Sequence, residues 1–233
     1  MINKPNTQTR STNAGKQRPQ FVVYGPADPY RGALERYISA GYQRCYQATI
    51  TQPMPLLLSL NLSDGPQAVL GLRPAGSGRL FLENYLDSAI ESTIASAAAQ
   101  PILRESIVEI GNLVATGRTG SQQLFIVMTA ALAEAGFHWM TFTATPQVVK
   151  LIGRLGFTPL DLGAAKPERL ADAGANWGSY YQTAPRIQAG LLSEALFALQ
   201  SNPTSAEQLE LFRDTIAALA RQISAHPLIE QGL

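Results

Sequence analysis

Hydrophobic and polar positions change their period along the chain, and each change predicts an element. Phe21-Val22-Val23-Tyr24 is a short apolar run and reads as a first strand. Asp28-Pro29 opens a helical stretch in which Leu34, Tyr37, Ile38, Gly41, Tyr42 and Cys45 recur at helical spacing. Pro53 and Pro55 end any helix before the strand Leu56 to Leu62. The turn Ser63-Asp64-Gly65-Pro66 returns the chain as a hairpin partner over Gln67 to Pro74. A second turn, Ala75 to Gly78, leads into Arg79 to Leu86, and residues 88–99 read as a small helix.

The centre alternates more regularly. Ser106 to Thr116 is a strand, Gly117-Arg118-Thr119-Gly120-Ser121 a loop, and Gln122 to Ala135 a helix with Leu124, Met128, Ala131, Leu132 and Ala135 on one face. Gly136 caps that helix, Phe137 to Ala144 is the next strand, and Pro146 suits the first turn of a helix that ends at Gly156. Phe157 to Leu162 is a further strand or strand edge. Strand, helix, strand, helix, strand predicts an α/β (α+β) domain around a mixed sheet. Beyond Tyr181 two helical runs follow, 187–200 and 206–224, which would pack as a hairpin on the domain or make a homodimer contact. The expected organisation is a flexible basic arm over 1–20, a core domain over 21–186 and a C-terminal helical extension over 187–233.

Composition narrows the possibilities. The chain has 233 residues, long enough for a hydrophobic core without disulfides or metals. Charged residues are only 15% and the formal net charge is +1, which gives no electrostatic case for nucleic acid as a partner. The arm carries Lys4, Arg10, Lys16 and Arg18 with no acidic residue, so a contact to an anionic surface or a carrier protein is the alternative to a simple tail. One cysteine and two histidines exclude a disulfide framework and make a metal centre improbable. The polar start is no secretory signal and no apolar window is long enough to span a membrane, so a cytoplasmic location is expected.

No G-x-S-x-G, H-E-x-x-H, Walker or C-x-x-C motif occurs, which removes the main support for serine hydrolase, zinc protease and nucleoside triphosphatase readings. Candidate chemistry lies elsewhere. Arg118, Thr119, Gly120 and Ser121 sit where backbone amides at a helix start can hold a phosphate or pyrophosphate; the alternative is an ordinary strand-to-helix connection. Glu109 lies mid-strand among Ile107, Val108 and Ile110, where burial raises a carboxyl towards a useful general base; the alternative is a half-exposed residue paired with Arg104 or Arg73. Asn112 and Thr116 could orient a ligand or satisfy backbone groups. Trp177, Tyr180 and Tyr181 either line a pocket or anchor the C-terminal segment. His138 and Cys45 read as structural residues, Cys45 on an apolar helix face and therefore in the core.

Taken in order, Glu109-Ile110-Gly111-Asn112-Leu113, Arg118-Thr119-Gly120 with its helix, and Leu155-Gly156-Phe157 resemble the core of the GNAT acyltransferase fold. With Gly71-Leu72-Arg73-Pro74, Leu80 to Asp87 and Trp177-Gly178-Ser179-Tyr180-Tyr181 added, residues 20–190 resemble the thermostable hemolysin family. The stretch from Gly71 to Leu82 is also similar to acyl-homoserine-lactone synthases and long-chain N-acyl amino acid synthases. The resemblance implies a GNAT-like mixed central sheet flanked by helices, with two extra C-terminal helices. It implies an acyltransferase moving a fatty acyl group from an acyl-CoA or acyl carrier protein thioester, as co-substrate rather than tightly bound cofactor, to a small-molecule amine acceptor.

Under the same resemblance Glu109 would take the amine proton, with Asn112 and the amides of Leu113 and Val114 at the oxyanion. Arg118, Thr119, Gly120 and Ser121 would hold the donor phosphate or pantetheine. Arg73, Glu83, Tyr85, Trp177 and Tyr180 would shape the acceptor side. The loop departs from the usual Q/R-x-x-G-x-G/A pattern: Arg118 and Gly120 are present without the second glycine, which weakens coenzyme A as donor and leaves acyl carrier protein open. The family name implies a membrane-active alternative, and the fold a non-catalytic thioester-binding one.

Overall fold

The computed structural model describes residues 18–227, so all but the last three residues of the expected basic arm lie outside the described residues. Strands β1 (Gln20–Tyr24), β2 (Leu56–Leu62), β3 (Gly65–Pro74), β4 (Ile107–Ala115), β5 (Trp139–Ala144), β6 (Leu160–Ala164) and β7 (Arg186–Leu191) form one seven-stranded sheet in the order β1-β2-β3-β4-β5-β7-β6. All pairings are antiparallel except β4 with β5. The helices are α1 (Arg31–Tyr46), α2 (Ile90–Ala98), α3 (Arg118–Glu134), α4 (Pro146–Arg154), α5 (Leu192–Ser201), α6 (Pro203–Leu211) and α7 (Arg213–Ser224).

Local chemistry explains most boundaries. Helix α1 ends where Gln47 turns left-handed (φ 56°): its amide donates to the Gln43 carbonyl and the following amide, of Ala48, reaches back to the Tyr42 carbonyl. Pro146 starts α4 at the one position where its missing N–H costs nothing. The Gly117 to Ser121 segment, expected as a loop, is instead an extended cap at Gly117 followed by the first turn of α3. The helical run expected from Ile187 begins as β7 and becomes α5 only at Leu192. The run expected over 206–224 starts at Pro203 and breaks at Phe212, whose ring meets Phe21 edge-on at 5.0 Å between centroids.

The two faces of the sheet are covered differently. On one face a continuous core joins β1–β5 to α3, α4, α5 and α7. Every residue of α3 from Leu124 to Leu132 is buried, so this helix is enclosed by the sheet and by α5 and α7 together. On the other face are two smaller cores: Leu34 and Ile38 of α1 over Leu57 and Val69, and a second around Leu80, Ile90, Ile94, Ile107 and Trp139. The sheet between them carries neither core.

Two backbone features shape that uncovered strip. Val69 pairs with Val114 and Gly71 with Gly111, so β4 holds one more residue than β3 in this interval. This is a β-bulge, and Asn112 within it is left-handed (φ 51°), a conformation asparagine tolerates better than most residues. The parallel pairing of β4 with β5 runs only from Ile107/Trp139 to Ile110/Phe142. Beyond it the strands part, and Thr143 and Ala144 pair with β7 alone.

Candidate active site

The strip opens into a cavity of about 420 Å³. Its floor is the face of β3 and β4 that presents Arg73, Glu109 and Gly111. Its walls come from the loop after α1 (Thr49 to Gln52 and Met54), from Phe81, Asn84 and Tyr85, and from the segment around Asp172, Trp177 and Tyr180.

Glu109 is 2% exposed. Oε2 accepts the Phe81 amide at 2.8 Å and Oε1 the Leu82 amide at 2.9 Å. Burial pushes its carboxyl up to about 7, against the opposing pull of those two amides and of the Arg73 charge across the strand pair. Neither pairing considered from the sequence forms. Arg104 binds Glu83 and Glu91 instead, and Arg73 donates to the Arg79 carbonyl at 3.2 Å without forming an ion pair among the described residues.

Asn112 is buried and fixes the neighbouring wall. Its Oδ1 accepts the Met54 amide at 2.8 Å. Arg31, which sequence reasoning missed, completes the anchor: its guanidinium donates to the carbonyls of Met54 and Pro55 at 2.6 Å each. Thr143, also missed, lines the cavity where β4 and β5 separate, and its buried Oγ1 has no hydrogen-bond partner among the described residues.

The aromatic wall is a mutually packed group. Trp177 lies 5.2 Å from Tyr180, 5.5 Å from Phe81 and 6.2 Å from Tyr42, between ring centroids. Tyr85 and Tyr181 share a 2.6 Å hydroxyl–hydroxyl bond. Burial drives the phenols of Tyr42, Tyr85 and Tyr180 far above their ordinary range and that of Tyr181 to about 12, so all four stay neutral. The group is tied to α1 at Gly178, where φ is +50° and an added Cβ would stand 2.1 Å from the Tyr46 carbonyl oxygen. Gly178→Ala is therefore expected to destabilise the fold by more than about 1 kcal/mol, measured by urea unfolding.

The structure brings Arg73, Tyr85, Glu109, Asn112, Trp177 and Tyr180 to this one cavity. Others fall outside it. Glu83 is buried against Arg104, which reaches both of its oxygens at 2.7 and 2.9 Å, and accepts the amides of Leu80 and Ile90. Burial alone would raise its carboxyl, but Arg104 and those amides outweigh this and hold it at about 2, so Glu83 serves as a brace. Leu113 packs on the α3-side core and Val114 lies against α1 at Gly41, and neither lines the cavity. Arg118, Thr119, Gly120 and Ser121 form the start of α3 and do not line the cavity. They stand beyond the end of β4, at the open end of the strand split.

Cys45 is exposed rather than core, because the buried side of α1 is set by Leu34, Ile38 and Gly41. His138 is exposed just before β5. Asn84, Asp172 and the 49–54 loop gave no periodic signal in the sequence; Pro53 and Pro55 marked the loop without indicating what it covers. Among the described residues there is no cluster of His, Cys, Asp or Glu that could hold a metal, and no helix long and apolar enough to cross a membrane.

The same architecture occurs in solved structures. The acyl-homoserine-lactone synthase LasI matches with a TM-score of 0.55 at 9% identity, over 80% of this chain and 96% of its own. The CoA-dependent acyl-homoserine lactone synthase BjaI, solved with SAM and isopentyl-CoA, matches at 0.52 and 12%, over 86% and 90%. The N-acyl amino acid synthase FeeM, from uncultured soil microbes, matches at 0.51 and 16%, over 76% and 93%. At such identities the similarity carries the fold, which is the expected GNAT-like mixed sheet flanked by helices. The search of curated proteins finds no match. The family model for thermostable hemolysin matches residues 24–196, most of the chain and every residue lining the cavity, and the chain thus belongs to the thermostable hemolysin family.

Proposed function

We propose that this protein is a GNAT-type acyltransferase that moves a fatty acyl group from a coenzyme A or acyl carrier protein thioester to a small amine. The observation that carries the reading is Glu109: a buried carboxyl brought to about 7, on the floor of a cavity beside a bulged strand. A base tuned to neutral pH is suited to taking a proton from an amine as it attacks. The bulge at Asn112 frees backbone from the β3–β4 ladder next to it, and such amides suit the oxygen of a tetrahedral intermediate.

The donor would enter through the split between β4 and β5. Both strands point their C-terminal ends that way, and the N-termini of α3 and α4 follow directly. Helix starts, with Arg118 at the first of them, favour the donor phosphate, and the unpartnered Thr143 hydroxyl can meet the pantetheine arm. The amine nitrogen attacks the thioester carbon, Glu109 takes its proton, and the carbon–sulfur bond breaks; the departing thiolate takes that proton from Glu109 and leaves as the thiol. Arg73, Asn84, Tyr85 and Trp177 shape the acceptor end. This reading also puts the protein where acyl thioesters are made, in the cytoplasm.

The test is thermal unfolding with coenzyme A, with acyl-CoAs of increasing chain length, and with acyl carrier protein bearing the same chains. A donor about a hundredfold above its dissociation constant stabilises by roughly 2.7 kcal/mol, a visible shift in melting temperature. A shift that grows with chain length is expected. If no donor moves the melting temperature, the acyl-transfer reading fails.

A further inference from the structure

We infer that Met54 sets the length of acyl chain the site accepts, by filling a groove that Gly71 and Gly111 leave in the sheet. The inference rests on the acyl-transfer reading above. On the cavity face, β3 and β4 present two successive cross-strand pairs, Arg73 with Glu109 and Gly71 with Gly111. The first pair carries the charge. The second has no side chains, so the floor there is bare backbone one residue pair wide. Paired glycines weaken a strand, and their presence inside one marks close approach by another group.

That group is the Met54 side chain. A Cβ on Gly71 would lie 2.5 Å from Met54 Cβ, and one on Gly111 would lie 2.5 Å from Met54 Cε. Met54 therefore spans both glycines along its whole length. Its backbone is pinned on both sides, by Asn112 at the amide and Arg31 at the carbonyl. The side chain is a different matter. It is unbranched, with three rotatable bonds and a polarizable sulfur, the type that adapts to irregular apolar space. It lines the cavity beside Tyr42 and Ile50, whereas Arg73, Glu109 and Asn84 supply the polar groups an amine needs. An alkyl chain leaving a thioester carbonyl near the bulge has this groove as its apolar path, and Met54 decides how deep the path runs.

The experiment measures melting shifts for wild type, Met54→Ala and Gly111→Ala with acyl chains from butanoyl to hexadecanoyl, each on coenzyme A and on carrier protein. Met54→Ala opens the groove, so its largest shift moves to longer chains, with the long-to-short affinity ratio rising about tenfold or more. Gly111→Ala pushes the Met54 methyl into the cavity, so its largest shift moves to shorter chains. The double variant should recover longer chains, a reversal that general loss of stability does not produce. Should Met54→Ala fail to fold, Met54→Leu is read instead: a branched, less adaptable side chain in the groove should narrow the range of accepted chains. Identical chain-length profiles in all folded variants overturn the inference and leave acyl transfer standing. No shift in wild type with any donor removes the acyl-transfer reading and this inference with it.

Discussion

Glu109→Gln is expected to lower kcat by about 10²–10⁴-fold, the usual contribution of a positioned general base. Thiol released from an acyl donor in the presence of an amine acceptor measures it. The pH dependence makes the result specific to the carboxyl. In wild type the base must be ionised, so kcat/KM, expressed per neutral amine, rises with pH and levels off above about 7. The variant should lose that limb and keep a flat residual rate. Stability has the opposite sign. The folded carboxyl titrates at about 7 against an ordinary 4.5, so the native state holds its proton more tightly and stability falls as pH rises through that window. Glutamine removes this dependence. It also turns an NH₂ towards one of the two backbone amides that now meet carboxylate oxygens, at a cost of about 1–3 kcal/mol. Activity is therefore compared at a temperature where both proteins are folded. Unchanged turnover in the folded variant removes Glu109 as the base.

Arg104→Met has the second large effect, and on stability first. Glu83 is 7% exposed and relies on this guanidinium, so deleting it leaves a buried charge without its partner, at about 3 kcal/mol or more. Chemical denaturation at neutral pH should show the loss. The folded Glu83 carboxyl sits at about 2, below its ordinary 4.5, so its contribution is fully present above about 4.5 and disappears as pH falls towards 2. The gap between wild type and variant should narrow in that acid range. Activity should respond as well. Arg104 also holds the carbonyls of Ala75 and Gly78, and so positions the segment that delivers the Phe81 and Leu82 amides to Glu109. Those amides lower the Glu109 carboxyl, so loosening them should move the rising limb of the rate profile to higher pH. A limb that stays in place would show that Arg104 braces the fold without tuning the base.

Glu109 was legible because a carboxyl in a run of apolar strand residues is costly unless its environment compensates, whichever fold surrounds it. Strands β2 to β5 were legible from apolar runs bounded by turn residues, and of their pairings the β2–β3 hairpin was. The bulge at Asn112 was not, since an extra residue in a strand is defined only by counting against its partner. The start of α3 was misread because Gly117 to Ser121 has loop composition, while Gly117 serves as cap and the helix begins at Arg118. In β7, Ile187, Ala189 and Leu191 alternate as a strand should, but the apolar series continues unbroken into α5 and masks the change of period. The cavity walls were the least legible part. They come from three segments distant in sequence, and Met54, Thr143 and Asp172 acquire a common purpose only when the sheet gathers them.

The position of β7 between β5 and β6 has a consequence for biosynthesis. While the chain is emerging from the ribosome, β6 exists before the strand that will join it to the sheet, and β5 keeps a bare hydrogen-bonding edge until Arg186 to Leu191 has been made. Helix α3 waits longer still, because its outer side is closed by α5 and α7, as far along as Ile223. The match to the family model stops at residue 196, so part of this closing layer lies beyond it. A nascent chain therefore carries an adhesive edge from the making of β5 to that of β7, and an uncovered apolar helix until α7 has been made, and helices α5 and α7 decide whether it closes on itself or on a neighbour.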